Sequence, residues 1–393
     1  MKSKYFNILI IYVIGLLYAC QEESIGQQPV DSNPPNPVTN VTVRNISGGA
    51  IIHYTLPDDE DLLYVKALYY LKDSIEIDTR ASVYVDSLVV VGFGDMKERQ
   101  VRLMAVDRSQ NESSAVTVSI SPLSPDVLNI GESLNLIQDF GGVHAYWDNP
   151  NKVDIAIAVL TKDHNEEYVP LETFYSSRSA GEGTIRGMDT IPYDFAMYAE
   201  DRWGNTSEQK YYTLTPIYET KFDRLKFAKV DLAGDASQVS GFEMHRMWDG
   251  NNNGDPCFST TGGTGIWPHS ATMDIGITGK ISRIRIFQRT SLKPYIWGEG
   301  NLRKFQVYGC ETLDYSGGWD SWTLLMDCVS VKPSGLPLGQ NTDEDIYVAT
   351  NGEDFTNSPT NPPVRYLRFL VTQTWAGGDN FQIGEIEIYG DDR

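Results

Sequence analysis

The sequence predicts an all-β protein built from three consecutive β-sandwiches. Short segments in which apolar and polar residues alternate recur along the chain, and this period of two is typical of half-buried strands. Residues 48–70 also correspond to residues 141–163, so the first half of the chain repeats itself. The 22 Tyr and 8 Trp among 393 residues fit the preference of strands for aromatic side chains. Two similar modules followed by a different third one are therefore expected.

Residues 1–19 are predicted to be a signal peptide. Lys2 and Lys4 precede an apolar run that is too short for a comfortable membrane span and ends at Cys20. The stretch LYAC resembles a bacterial lipobox, which implies acylation of Cys20, and the QEES after it resembles the surface-export signal of Bacteroidota lipoproteins. The resemblance implies a lipid anchor on the outer membrane, at the cell surface, whereas an ordinary cleaved secretory signal is the alternative. Residues 20–36, rich in Gln, Ser, Asn and Pro, are predicted to be a flexible tether.

The repeated modules are predicted to span residues 37–123 and 124–217. Both contain the pattern A-x-D-R-x-x-N-x-S, in which a strand leads into a turn whose Asn and Ser can bond the backbone. Regularly spaced strands in units of this size predict immunoglobulin-like sandwiches. The segments VHAYWDNP and YDFAMYAEDRWGNTS resemble those of fibronectin type III domains, although Gln110 stands where that family usually has Gly. The resemblance implies spacers or docking surfaces, with Trp147 as a core side chain rather than a ligand platform.

Residues 220–393 are predicted to form a third, jelly-roll sandwich. Several alternating strands follow one another without a helix, and long loops rich in Gly, Asn and Trp separate them. Loops on a rigid β scaffold are where binding residues concentrate. The ordered segments MWDGNNN, WPHSATMDIG, KFQVYG, VRYLRFLV and IGEIEIYG resemble the discoidin, or coagulation-factor type C, fold that family-32 carbohydrate-binding modules share, a galactose-binding-like sandwich.

The three modules on a lipidated tether together resemble the surface glycan-binding lipoproteins of Bacteroidota polysaccharide-utilisation systems. This implies a non-catalytic protein that binds a polysaccharide or oligosaccharide through its discoidin-like module, beside other surface glycan-uptake proteins. The alternative is an adhesin or complex subunit that binds a protein partner through the same face.

The loop MWDGNNNGDP (247–256) invites comparison with a calcium-binding EF-hand. Asp249, Asn251 and Gly254 fit the first half of that loop pattern. The twelfth position, which should be a bidentate Glu, is Thr260, and no exit helix is predicted after it. The loop is therefore not expected to be an EF-hand.

The discoidin-like resemblance implies a different calcium site. In that family the opening loop meets the last strand, and many members hold a calcium ion there. Carried over to this sequence, Asp249, Asn251 and Glu385 would supply side-chain ligands, and Arg246 and Gly384 would supply carbonyl oxygens. The ion would be structural, and the alternative is a metal-free polar turn.

A sugar site should combine exposed aromatic rings with planar hydrogen-bonding groups. Arg289 is the first candidate, because sugar-binding members of the family place an Arg at this point and its planar fork suits vicinal hydroxyls. The alternative for Arg289 is a surface ion pair, and the alternative for Trp267 and His269 is burial. The full candidate set in or beside the inter-strand loops is Phe258, Trp267, His269, Arg289, Tyr295, Trp297, Asn301 and Trp375.

Other classes of function find little support in the sequence. A formal charge of −21 would repel a phosphate backbone, so nucleic-acid binding is not expected. The sequence has no P-loop, no zinc spacing among its five His and no G-x-S-x-G elbow, so no enzyme is predicted. Three cysteines remain besides Cys20, and whether Cys310 and Cys328 pair across two strands stays open.

Overall fold

The computed structural model describes residues 31–72, 75–263 and 267–393. The predicted signal peptide (1–19), the acylation site Cys20 and most of the predicted tether lie outside these ranges. None of the helices in the described part of the chain combines the length and the apolar character needed to cross a membrane.

The first module is a sandwich of two antiparallel sheets. One sheet has the order β1-β2-β5 and the other β4-β3-β6-β7. The strands are β1 (Thr39–Ile46), β2 (Gly49–Thr55), β3 (Leu62–Leu71), β4 (Ile75–Ser82), β5 (Ser87–Val91), β6 (Arg99–Asp107) and β7 (Val116–Ile120). Inward-facing side chains such as Ile52, Val65, Val90 and Leu103 are buried between the sheets.

The second module repeats this arrangement. Its sheets have the orders β12-β9-β8 and β11-β10-β13-β14. The elements are α1 (Asp126–Ser133), β8 (Asn135–Asp139), β9 (Gly142–Asp148), β10 (Ile155–Lys162), β11 (Tyr168–Ser176), β12 (Ala180–Arg186), β13 (Tyr193–Asp201) and β14 (Lys210–Leu214). Trp147 is only 4% exposed and belongs to the core between the sheets.

The repeated A-x-D-R-x-x-N-x-S pattern builds the same turn twice. The Asp107 carboxylate accepts hydrogen bonds from the backbone and side-chain N–H groups of Asn111, at 2.8 and 2.9 Å. Asp201 accepts the same two bonds from Asn205, both at 2.9 Å. The Ser of each copy accepts a bond from the backbone N–H of the Ala, so the pattern fixes the turn after a core strand.

The third module is organised around one long strand. The first half of β18 pairs with β22 and β16, and its second half pairs with β24 and β21, with an irregularity between Asp274 and Gly279. The strand thus passes from one layer of the sandwich into the other, around a core that includes Met273, Phe305 and Ile386. The elements are β15 (Thr220–Lys221), β16 (Ala228–Val230), β17 (Phe258–Ser259), β18 (His269–Phe287), β19 (Leu302–Cys310), β20 (Thr323–Val329), α2 (Asp343–Asn351), β21 (Glu353–Thr356), β22 (Val364–Thr374), β23 (Gln382–Ile383) and β24 (Glu385–Asp391), with short 3-10 turns at Arg224–Lys226, Met244–Trp248 and Lys293–Tyr295.

The predicted all-β class, a series of β-sandwiches, is confirmed, but the third module contains a helix that was not expected. Helix α2 begins with a capping box, in which Thr342 accepts a bond from the Asp345 backbone and Asp345 accepts one from the Thr342 backbone. Asp345 also accepts bonds from the backbone and hydroxyl of Ser334, at 2.9 and 2.7 Å. Local capping chemistry therefore makes a helix where strand periodicity gave no signal.

The three cysteines of the described chain are buried free thiols. Cys328 on β20 lies opposite Phe305 on β19, five positions away from Cys310. Five residues of strand span about 16 Å, whereas a disulfide needs Cα atoms within about 7 Å. The pairing of Cys310 with Cys328 is therefore excluded by register, and burial raises the pKa of Cys310 to about 11 and that of Cys328 to about 12.

Specific contacts join the modules. The Asn205 amide donates to the Gly92 carbonyl at 3.1 Å, and Lys72 donates to the Gly204 carbonyl at 2.7 Å, which ties the second module to the first. At the other junction, Glu219 is 3.2 Å from Arg186 of the second module and 3.3 Å from Arg283 of the third. The Glu219 side chain is only 9% exposed, so one buried carboxylate serves both modules.

Candidate functional site

The loop 247–256 and the last strand meet in the third module. Glu385, the first residue of β24, accepts a hydrogen bond from the Gly250 N–H at 3.0 Å, across 135 positions of sequence. Gly250 has φ +90°, and a Cβ there would lie 2.6 Å from the Arg224 guanidinium, so glycine is required. We call Arg224, Asp249, Gly250 and Glu385 the terminal clamp.

The terminal clamp holds a carboxylate in an unfavourable environment. Glu385 is only 3% exposed, and burial raises its pKa to about 7. The charge of Asp249 raises the pKa further, whereas the Gly250 N–H and Arg224 oppose the shift. Near neutral pH this carboxyl is therefore divided between its acid and its ionised form.

The stability of the third module is expected to fall as the pH rises through this window. The folded state holds the Glu385 proton up to about pH 7, whereas the unfolded chain releases it near pH 4.5, so folding is penalised progressively between these values. After allowance for solvent screening, we expect a loss of about 1–2 kcal/mol in the absence of divalent cations. Urea denaturation at pH 5 and pH 7.5 measures it, and Glu385→Gln should remove that part of the difference. An unchanged pH dependence in Glu385→Gln would contradict the assignment.

The other residues predicted around a calcium ion have partners of their own. Asp249 accepts a bond from the Asn251 N–H at 2.9 Å, and its second oxygen lies 3.4 Å from the Arg246 guanidinium. The Asn251 amide donates to the Asp255 carbonyl at 3.1 Å. The Gly384 N–H donates to the Phe287 carbonyl at 2.9 Å. The predicted ligands thus gather around one turn, but Arg246 is also a cation that competes for Asp249.

Beside this turn lies a mixed aromatic and charged group, which we call the Arg289 cluster: Phe242, Asp255, Arg289, Tyr295 and Glu299. The Arg289 guanidinium carbon lies 4.1 Å from the centre of the Tyr295 ring and 5.5 Å from that of Phe242. Its terminal nitrogens lie 3.2 Å from Asp255 and 4.0 Å from Glu299. Its Nε is buried and has no hydrogen-bond partner among the described residues. The guanidinium is thus held between rings and carboxylates with one donor unused.

Asn301 positions this cluster and is not available to a ligand. It is 1% exposed, accepts a bond from the Arg289 N–H at 2.8 Å and donates to the Tyr295 carbonyl at 2.7 Å. The prediction that Asn301 contacts a ligand is therefore wrong. Its side chain holds the turn that carries Tyr295 against the end of β18 instead.

The prediction of Trp297 as an exposed platform is also wrong. Trp297 is 0% exposed, and its indole N–H donates to the Asp345 carbonyl at 2.8 Å. Its backbone N–H donates to Gln288 at 2.8 Å, and the edge of Trp375 packs on it with ring centres 5.0 Å apart. The loop folds back onto helix α2, an element that the sequence did not predict, and this contact buries the ring.

Phe258 and His269 are buried as well, so their predicted contact with a ligand is wrong. Phe258 is 1% exposed and packs edge-on against Phe381, with ring centres 5.5 Å apart. His269 is 3% exposed, and its Nδ1 lies 3.0 Å from the Thr260 hydroxyl. Both side chains complete the core next to β17 and β23.

Trp267 and Trp375 remain half-buried, each with its indole N–H in use. The Trp267 indole donates to the Thr372 carbonyl at 3.0 Å, and the Trp375 indole donates to the Ser330 hydroxyl at 3.2 Å. Trp375 also donates its backbone N–H to the Asn301 carbonyl, which places it next to the Arg289 cluster. Part of each ring is still accessible.

Phe242 and Glu299 were not among the predicted residues. They come from separate loops, and Glu299 has a left-handed backbone, with φ 46°, that no pattern in the sequence indicated. Asp255 belongs to the opening loop and was not among the predicted sugar-binding residues. The sequence offers one signal for the two acids. Asp255 and Glu299 each stand beside a Gly in a loop, close to the predicted ligand-binding residue Arg289.

Three family models match the chain in succession. DUF4959 matches residues 35–122, DUF5126 matches residues 123–225 and DUF5000 matches residues 248–390, and each is described as a domain of unknown function. No curated protein matched the chain.

Among solved structures, the chain is similar to one described as SusE-like protein BT2857, with 32% sequence identity and a TM-score of 0.46. The match covers 68% of this chain and 100% of that one. A family 89 glycoside hydrolase from Clostridium perfringens matches at 17% identity and a TM-score of 0.26, over 40% of this chain and 14% of that one. The CBM32-1, CBM32-2 and M60 catalytic domains of ZmpB from the same organism match at 14% identity and a TM-score of 0.32. This match covers 44% of this chain and 15% of that one. The protein is a chain of β-sandwich modules with its candidate site at the loops of the last one. By its identity over the full length of the first relative, it belongs to the SusE-like family.

Proposed function

We propose that the protein is a non-catalytic lipoprotein of the outer-membrane surface, anchored at Cys20, that binds polysaccharide as part of a polysaccharide-utilisation system. Membership of the SusE-like family supports this role. The observation that carries the binding function is the Arg289 cluster, in which two exposed carboxylates and two half-buried aromatic rings surround a guanidinium. The discoidin-like module would be the one that grips the sugar.

The chemistry of the Arg289 cluster suits a sugar. The carboxylates of Asp255 and Glu299 keep 42% and 44% of their surface exposed and can accept hydrogen bonds from hydroxyl groups. Tyr295 and Phe242 are half-buried and offer apolar surface to C–H groups. Arg289 itself is 12% exposed, so it would hold both carboxylates in place and donate from its edge.

Replacing Arg289 with alanine is expected to weaken polysaccharide binding about 10- to 100-fold. The change removes charged hydrogen bonds, each of order 1.5–3 kcal/mol, and releases both carboxylates from their positions. Isothermal titration of the intact protein against a panel of polysaccharides measures the effect. Arg365→Ala is the matched control, since it removes an exposed Arg of the same module that pairs with Asp274. Equal affinities of Arg289→Ala and the wild type would contradict the assignment.

We also propose that a structural calcium ion binds at the terminal clamp, where Asp249 and Glu385 meet the neighbouring residues Arg246, Asn251 and Gly384. The turn at Asp249 and the side chain of Glu385 meet, and burial raises the pKa of Glu385, so a cation beside it would offset the cost of burying its ionised form. Calcium favours such carboxylate oxygens, with backbone carbonyls to complete its shell. Asp249, Asn251 and Glu385 with the carbonyls of Arg246 and Gly384 would hold the ion, which would pin the two ends of the module together.

Calcium is expected to stabilise the protein by about 1–3 kcal/mol at concentrations ten to a hundred times the dissociation constant. Thermal unfolding with millimolar calcium, compared with EDTA, measures the shift. Glu385→Gln should lose the response. Glu387→Gln should keep it, because Glu387 lies two positions further along β24 and pairs with Lys221. If calcium still stabilised the Glu385→Gln variant, the terminal clamp would not be the calcium site.

A further inference from the structure

A groove of about 930 Å³ opens at one edge of the second module, between β9, β11 and β12. Its lining includes Tyr146, Trp147, Tyr175, Arg178 and Glu182. We propose that this groove is a second binding site for an uncharged oligosaccharide, separate from the Arg289 cluster. The proposal rests on the proposed function in one respect, namely that both sites take the same class of ligand.

The groove is shaped by two glycines on the edge strand β12. A Cβ on Gly181 would lie 2.2 Å from the Trp147 indole, and a Cβ on Gly183 would lie 2.4 Å from the Phe174 ring. The two rings therefore lean over the strand, and they stack on each other with centres 5.8 Å apart and planes 27° apart. Only glycine at these positions allows aromatic groups to line this edge of the sandwich.

The indole N–H of Trp147 gives the groove an unused donor. Trp147 is 4% exposed, and its Nε1 is buried with no hydrogen-bond partner in the described chain. An unpaired buried N–H carries a desolvation cost that an incoming acceptor would relieve. The group lies beside Gly181 in the groove wall, where a sugar hydroxyl would be such an acceptor. Trp147 thus remains a core side chain that also lines the groove.

The rim of the groove carries the other groups that sugar sites use. Tyr175 is 83% exposed and Tyr146 is 37% exposed, so both rings can meet the C–H face of a sugar. The guanidinium of Arg178 forms no ion pair within the described residues, and Asp148 and Glu182 add exposed acceptors. Two exposed Tyr rings therefore flank one opening.

Size and charge narrow the ligand to an uncharged oligosaccharide. A volume of about 930 Å³ lies within the range of roughly 300–1,000 Å³ that is usual for small-molecule sites. One Arg against two acids makes the lining slightly acidic, and the whole chain carries −21, so a polyanion would be repelled. Tyr175 also borders a second cavity of about 940 Å³, lined by Tyr198, Arg202 and Trp203, which would let a longer chain continue past the rim.

The test uses the intact chain with Arg289→Ala, which isolates the groove. The probes are hexasaccharides of α-1,4-linked glucose, β-1,4-linked glucose, β-1,4-linked mannose and β-1,4-linked xylose, titrated calorimetrically. At least one should still bind with a stoichiometry of one per chain. Adding Tyr175→Ala should weaken that binding about tenfold, and adding Trp147→Phe, which keeps an aromatic ring but removes the N–H, should weaken it about fivefold. Tyr84→Ala is the control, because Tyr84 is 93% exposed and lies in the first module.

The outcomes separate the two proposals. If Arg289→Ala abolishes all binding that the wild type shows, the groove is overturned and the proposed function stands. If Tyr175→Ala and Trp147→Phe both bind unchanged in the Arg289→Ala background, the groove is overturned, and the affinity of Arg289→Ala relative to the wild type decides the proposed function. If the groove variants abolish all binding and Arg289→Ala has no effect, the groove stands and the Arg289 cluster is overturned. If the wild type binds none of the four probes, the groove is overturned for this class of ligand. Thermal unfolding of each variant shows that a loss of binding does not come from misfolding.

Discussion

Replacing Trp297 with alanine is expected to lower the free energy of unfolding of the third module by about 3–5 kcal/mol. The ring is completely buried and packs between the loop that carries it and helix α2. Truncation would leave a cavity and would also deprive the Asp345 carbonyl of its indole donor. Since Asp345 caps α2, the helix and the loop should loosen together.

Urea denaturation of the full chain, followed by tryptophan fluorescence, measures this loss. Tyr347→Ala is the control, because Tyr347 is 66% exposed on the same helix and should change the stability by no more than about 0.5 kcal/mol. A loss below about 1 kcal/mol for Trp297→Ala would mean that the ring is accessible, and a role as a sugar platform would then return.

Replacing Arg368 with alanine is expected to cost a similar 3–5 kcal/mol. Arg368 is 1% exposed, donates to Asp235 and to the Gly317 carbonyl at 3.0 Å each, and lies 4.0 Å below the Trp319 ring. Its removal would leave Asp235 with a buried charge and no cation beside it. The loop that carries Gly317 and Trp319 would lose its main attachment to the sheet.

Arg365→Ala is a matched control for this variant. Arg365 lies three residues before Arg368 on β22, forms a two-pronged pair with Asp274 and keeps 43% of its side chain exposed. An exposed pair of this kind contributes about 0–1 kcal/mol. Equal losses of stability for Arg365→Ala and Arg368→Ala would contradict the structure, in which only Arg368 is buried.

The fold was predictable because strand periodicity and a repeated turn are local signals. The residues of β9 alternate between core and surface, and the bonds that Asn205 donates to Asp201 follow directly from the A-x-D-R-x-x-N-x-S pattern. Helix α2 was missed because its apolar pattern is weak, although its capping residues Thr342 and Asp345 can be read in the sequence. The alternation of apolar and polar residues therefore predicts the strands of the sandwiches, but it does not predict helix α2.

The candidate site was predictable only in part, because burial in loops has no period. Arg289, predicted to bind a ligand, lies in a polar and aromatic group and pairs with Asp255, whereas Trp297, predicted to be exposed among Pro and Gly residues, is buried by α2. The meeting of Gly250 with Glu385 spans 135 positions, and only the family resemblance anticipated it. Contacts between distant loops depend on the packing of the whole module, which a single sequence does not display.

The shared carboxylate of Glu219 also bears on how the protein could hold a long polymer. Bending at this junction would break the charge-assisted hydrogen bond from Arg186, or the ion pair with Arg283, to a side chain that water scarcely reaches. The second and third modules would therefore face a polymer with a preset spacing. Once one part of the polymer is held, a second contact would form at a raised effective concentration. The length of the polymer, and not bending of the protein, would then decide whether both contacts form at once.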